Sequence, residues 1–167
     1  MTRELALIMI IAFGVLLLAG MAWSLNRRRR AGRMTPPFPP AQAVTGDSLG
    51  VFNLIHVATT VAEAPLERVW TNPLSYRARS TLEVTTGGLR LVLTGEGDIG
   101  IPASEILGAG RGTWTIDKAV DGDGLIVVTW HHAGANYDSY FRSVDQPAED
   151  ILNPIHTMQS SAPEGSA

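Results

Sequence analysis

The stretch YRARSTLEVTTGGLRLVL, residues 76–93, decides the fold. Tyr76, Ala78, Ser80, Leu82 and Val84 alternate with Arg77, Arg79, Thr81, Glu83 and Thr85, which is the two-residue period of a strand with one face buried. Gly87-Gly88 then reads as a two-residue turn, because glycine adopts the positive φ angles of tight hairpins at no steric cost. Pairing Thr86 with Leu89 places Val84 opposite Leu91 and Leu82 opposite Leu93, so the apolar stripes of both strands share a face. The same register puts Arg90 opposite Thr85, on the solvent side with Arg77 and Arg79.

Downstream the pattern repeats in shorter pieces. Residues 99–102 read as a short strand and 103–107 as one helical turn. Residues 113–120 and 125–132 are rich in β-branched and aromatic side chains, with Asp121-Gly122-Asp123-Gly124 supplying turn chemistry between them. A further hairpin, with residues 133–136 as its loop, sets Val128 against Phe141 and Trp130 against Ser139. Ile151, Leu152, Ile155 and Met158 then recur at helical spacing, with Glu149 and Asp150 in the first turn where the helix dipole favours anions. Pro154 lacks an N–H and crowds the preceding turn, so a kink or an early end is expected there, and residues 159–167 read as a disordered tail.

Upstream, residues 51–60 add another strand. Before them, Pro36, Pro37, Pro39 and Pro40 favour extended geometry, so residues 27–46 read as a basic neck followed by a semi-rigid spacer. Residues 5–25 carry no charge, and twenty-one residues at about 1.5 Å each cover the roughly 30 Å of a bilayer core. Trp23 falls near the end of this run, at the level an amphipathic ring prefers, and Arg27, Arg28, Arg29, Arg30 and Arg33 follow. Bases beside a span stay in the cytoplasm, so the expected topology is single-pass in the cell membrane, N-terminus outside and body cytoplasmic. The domain plan is thus an anchor over 1–26, a neck and spacer over 27–46, a β domain over 47–158 and the tail.

Charge divides along the same line. Of thirteen Lys and Arg, six lie between Arg3 and Arg33, whereas only Glu4 of the sixteen acids does. Residues 34–167 therefore carry fifteen acids against seven bases. Such a body argues against nucleic-acid binding, which requires bases to replace phosphate counterions. Anionic headgroups are expected to be met only weakly, through the basic neck. There is no cysteine, hence no disulfide framework, thiol nucleophile or Cys-based zinc site.

No catalytic or cofactor constellation emerges. Residues 95–100 match G-x-G-x-x-G, yet strand-like flanks, Pro102 and the repulsive Glu96 and Asp98 contradict a dinucleotide loop. The Asp121–Gly124 segment lacks the remaining acids of a calcium loop. His131 and His132 are adjacent on a strand and point to opposite faces. Asp138, Ser139 and a histidine have the residue types of a triad, but nothing sets the serine on an elbow. Trp114, Trp130, Tyr137 and Phe141 read as core. The remaining contact candidates are Arg77, Arg79 and Arg90.

The segments Pro65-Leu66-Glu67-Arg68-Val69, Tyr76-Arg77-Ala78-Arg79, Ile101-Pro102-Ala103, Gly110-Arg111-Gly112-Thr113-Trp114, residues 124–130 and Asp138-Ser139-Tyr140-Phe141-Arg142 together resemble an actinobacterial group of single-pass proteins with a bacterial pleckstrin-homology-like (PH-like) domain. The resemblance implies a mainly β protein: an N-terminal transmembrane helix and a small antiparallel PH-like barrel or sandwich capped by a C-terminal helix. Its members are often labelled transporters, and it implies no catalytic residue. The chain accordingly reads as a membrane-tethered cytoplasmic protein-interaction or scaffold module, without a cofactor or catalytic activity of its own, whose protein partner is unknown. The alternative is an accessory subunit of a membrane transporter.

Overall fold

The computed structural model describes residues 3–33, 37–62, 64–112 and 125–161. They fall into two units, Met1–Thr35 and Pro36–Ala167. The first is a single helix, α1 (Arg3–Arg33). Its basic residues are therefore its last turns rather than a neck beyond it, which suits good helix formers whose charge complements the C-terminal end of the dipole. Among the described residues no helix is long and apolar enough to cross a membrane.

The second unit is one antiparallel sheet and a helix. Its strands are β1 (Ser48–Val61), β2 (Ala64–Arg68), β3 (Ala78–Thr85), β4 (Gly88–Leu93), β5 (Gly97–Pro102), β6 (Ile106–Gly112), β7 (Leu125–His132) and β8 (Ala135–Ser143), followed by α2 (Ala148–Ser161). They lie in the order β5-β4-β3-β1-β8-β7-β6, with β2 added to the end of β1. The long strand β1 joins the two halves: it pairs with β3 from Ser48 to His56 and with β8 from Leu54 to Val61. Val57 has no partner in β8, a bulge that lets the strand turn between its two neighbours. The bent sheet encloses Leu54, Leu82, Leu91, Ile126, Val128, Trp130 and Phe141. The helix α2 packs on β1, β3, β6 and β7 and buries Ile151, Leu152, Ile155 and Met158 against that core. Each such side chain contributes roughly 1.5–3 kcal/mol of transfer free energy. This anchoring on both sides of Pro154 carries the helix through the proline to Ser161; of the kink or early end expected there the early end does not occur, and Gln159 to Ser161, expected in the tail, are helical.

Both expected hairpins form, each with its cross-strand pairing shifted by two residues; the first keeps a two-residue turn and the second closes a four-residue loop to two. Val84 faces Leu89, Leu82 faces Leu91 and Ser80 faces Leu93, so the turn is Thr86-Gly87. Likewise Val128 faces Ser139 and Trp130 faces Tyr137 around Ala133-Gly134. A shift by two preserves which side chains point inward, which is why the burial pattern holds while the cross-strand partners change. The left-handed φ falls not in the first turn but on Gly88, at +144°. A Cβ on Gly87 would overlap the Thr45 carbonyl oxygen, and one on Gly88 the Ile101 carbonyl oxygen. Gly87 sits in the bend and Gly88 just after it, and both admit neighbouring backbone. The partner of β7 is β6, a Gly-rich strand that the sequence pattern does not announce, and the expected strand at 113–120 and the turn at 121–124 lie outside the described residues.

The spacer is corrected too. From residue 37 it belongs to the β unit: Phe38 sets its ring against Trp130 at 5.5 Å and Tyr137 at 6.1 Å, and Ala41 and Val44 are buried. Gly100 N–H donates to the Pro39 carbonyl at 2.8 Å, and Ala41 N–H donates to Asp98 Oδ2 at 2.7 Å. The segment thus covers part of the outer edge of β5. Its prolines set an extended backbone while the intervening apolar side chains find places in the core.

Candidate functional site

The polar groups in the interior come first, because they include the residue types of a triad. His56 Nδ1 lies 3.0 Å from the Tyr76 carbonyl, and its Nε2 3.0 Å from Thr59 Oγ1. Thr59 Oγ1 is 2.9 Å from Ser139 Oγ, which accepts from Trp130 Nε1–H at 3.0 Å. The Tyr76 carbonyl can only accept, so Nδ1 carries the hydrogen there, and with His56 neutral its Nε2 accepts from Thr59, which leaves Ser139 as the donor to Thr59. Trp130 donates to Ser139, Ser139 to Thr59, Thr59 to His56 Nε2, and His56 Nδ1–H to Tyr76. Burial lowers the His56 pKa from 6.5 to about 4, outweighing the backbone bond to Tyr76, which raises it; the Arg68 charge lowers it further. His56 is therefore neutral at pH 7 and committed as an acceptor. Asp138 is engaged elsewhere, accepting from Thr129 Oγ1 at 2.7 Å. Ser139 reaches the imidazole only through Thr59, and Trp130, Ser139, Thr59 and His56 are all buried, so the arrangement holds the core together rather than activating a nucleophile.

The other chemical suspects resolve into structure. Gly95–Gly100 is the β4–β5 connection and the start of β5. His131 Nδ1 bonds Asn136 Oδ1 at 2.8 Å, whereas His132 Nδ1 approaches Glu105 Oε2 at 3.7 Å. Among the described residues no group of three or more His, Asp or Glu could hold a metal ion.

The outer face of the sheet is where accessible chemistry collects. Arg90 shares the outer face with Arg79, as the alternation predicts, but its charge is met there by a carboxylate. With the shifted register Arg90 lies opposite Glu83, not Thr85, and ion-pairs with it at 3.1 Å while donating from Nε to the Val44 carbonyl at 2.8 Å. It fastens the N-terminal segment to the hairpin. Arg77 and Arg79 remain exposed. A residue the sequence reading passed over joins them: Arg142 of β8 and Arg79 of β3 both pair with Ile55 of β1, one on each side. No sequence spacing links positions 79 and 142; only the shared strand does.

Beside this row lies the β2–β3 connection. Trp70 is 51% exposed and Tyr76 57%, although large aromatic side chains otherwise supply the core of this unit. Arg68 sets its guanidinium 5.9 Å from the Trp70 ring and donates from Nη2 to the Val57 carbonyl at 3.1 Å, which ties that loop to the bulge of β1. A lone Trp outside any periodic run was the one signal available in sequence. Trp23 is exposed on α1, and Arg27, Arg28, Arg29, Arg30 and Arg33 lie within that helix, their side chains outside the described residues. Trp114 also lies outside the described residues, whereas Trp130, Tyr137 and Phe141 are core.

No curated protein matches the chain significantly. A model of the bacterial PH domain-like family matches residues 35–153, from the start of the docked N-terminal segment into α2. A bent antiparallel sheet whose first long strand serves both halves, with a terminal helix on the core, accounts for that match, and the chain belongs to the bacterial PH domain-like family.

Proposed function

We propose that this chain is a membrane-tethered interaction module: α1 anchors it, and the PH-like body faces the cytoplasm and recruits or scaffolds a protein without catalysing a reaction. A PH-like domain of this kind suggests protein-interaction or lipid binding. The observation that carries the protein reading is the pair Trp70 and Tyr76, left exposed beside a row of arginines on an otherwise acidic body. Trp, Tyr and Arg are the residues that dominate binding energy at protein interfaces. A body with fifteen acids against seven bases is repelled by anionic headgroups within a Debye length of about 8 Å. The anchor rests on the uncharged run of residues 5–25, and the orientation on the arginines that follow it. The second reading, an accessory subunit of a transporter, follows from the same anchor, since one span forms no substrate pathway alone. Crosslinking in native membranes separates the two: a soluble partner supports the scaffold, a multi-span partner the transporter subunit, and no partner overturns both.

A further inference from the structure

Of the seven bases in residues 34–167, Arg90 is ion-paired with Glu83 and Arg111 with Glu149. Arg68 is committed to the Val57 carbonyl, and Lys118 lies outside the described residues. Arg77, Arg79 and Arg142 are exposed and make no ion pair among the described residues. Arg79 and Arg142 lie on one face, flanking Ile55, and Arg77 immediately precedes β3. Gathering unpaired like charges on a sheet costs free energy, and an acidic body has carboxylates to spare for neutralising them. The cluster is therefore complementary to something outside the unit.

We infer that this face, built from Arg77, Arg79, Arg142, Ile55, Trp70 and Tyr76, docks an acidic segment of a protein partner in which apolar residues alternate with carboxylates. The inference rests on the interaction-module reading and names the chemistry of its partner. Two strand spacings separate Arg79 from Arg142, about 10 Å. Carboxylates at alternate positions of an extended segment stand about 7 Å apart, a difference that long arginine side chains close. Each guanidinium grips its carboxylate through paired N–H donors, and an apolar side chain between the acids lies on Ile55. Trp70 and Tyr76 extend the apolar floor beyond the row, and Arg68 holds the Trp70 loop in place from beneath. A lipid headgroup is the poorer fit, because the face belongs to a body whose net charge repels an anionic plane, whereas a single segment meets only the local cluster.

The test uses the full chain in neutral detergent and a fluorescein-labelled peptide of alternating Glu and Ile. Saturable binding is expected, weakened by salt, and reduced about tenfold or more in the Arg79→Gln, Arg142→Gln double variant, as loss of paired charges at an interface requires. A peptide with Gly in place of Ile binds less tightly. Unchanged thermal unfolding of the variant shows that the substitutions act at the surface. Absence of peptide binding, or binding the variant retains, overturns the inference. So does binding to vesicles containing anionic lipid that the double variant loses, which makes the face a headgroup site, or self-association that it loses, which makes the partner a second copy. A crosslinked partner in native membranes that the double variant keeps overturns the docking face and leaves the module reading standing; no partner for the wild type overturns the module reading and the inference with it.

Discussion

The Trp130 indole donates to the Ser139 hydroxyl at 3.0 Å between two neighbouring strands, and this bond ends a buried row that runs through Thr59 to His56. Because Trp130 has no acceptor to offer, neither Ser139 nor Thr59 can reverse its hydroxyl without stranding a hydrogen. A proton added at His56 Nε2 would face the hydrogen of Thr59. The buried row is satisfied in one protonation state only.

Stability should therefore depend on pH through His56. The unfolded chain binds a proton at His56 below about 6.5 and the folded chain only near 4, so the unfolded state gains protons first as the pH falls. Stability is complete above about 6.5, declines down to about 4 and levels off below, with a total loss of about 3 kcal/mol. Urea unfolding of the full chain in neutral detergent between pH 7.5 and 4, compared with His56→Gln, isolates this contribution. Identical pH slopes in the two proteins would refute it.

Ser139→Ala strands the Trp130 N–H and removes the donor to Thr59, and should cost about 1–3 kcal/mol. Trp130→Phe in the same background should then cost less than it does alone, because the orphaned donor goes with it. Additive losses in a double-mutant cycle would show that the two are not coupled.

Gly88→Ala should destabilise the hairpin, since its φ of +144° disfavours a side chain and the added Cβ meets the Ile101 carbonyl. A loss of about 2 kcal/mol or more is expected from strain and overlap together. Gly110→Ala, with nothing within 4 Å of the new Cβ, should be within about 0.5 kcal/mol of neutral. Equal effects at both sites in thermal unfolding would remove the distinction.

Arg90→Gln should loosen the N-terminal segment more than it destabilises the sheet. The Arg90–Glu83 pair is 28% exposed on each side and screened by solvent, so the global cost is about 1 kcal/mol, while the Val44 carbonyl loses its donor. Hydrogen exchange should accelerate at Ala43 and Val44, whose amides close the 3-10 turn Ala41–Ala43, and at Gly100, which bonds Pro39, before it does in β3. Uniform acceleration would show that the segment is not separately held.

A reporter fused after Ala167 should be cytoplasmic, and replacing Arg27, Arg28, Arg29 and Arg30 by Gln should give mixed orientation. Protease access to the body from the outer side of the membrane would reject this topology.

Alternation in residues 78–93 and 125–143 was enough to identify strands and their buried faces, because burial acts on each side chain separately with a period of two, whereas Tyr76, expected on the inner face, precedes β3 and is exposed. Helical spacing did the same for α2. The identity of each cross-strand partner was not legible, since moving a pairing by two residues leaves the apolar pattern unchanged. That shift set Arg90 opposite Glu83, which pairs its charge, instead of opposite Thr85. The proline segment misled for a related reason: extended backbone looks the same whether it floats free or lies along a sheet, and only the places found by Phe38, Ala41 and Val44 distinguish the two. Sequence alone determined the strand class, the acidic body and the uncharged run with its arginines. Tertiary structure alone brought Arg142 beside Arg79 on opposite sides of Ile55, because a strand paired on both edges joins positions more than sixty residues apart, and no local periodicity records which strands it joins.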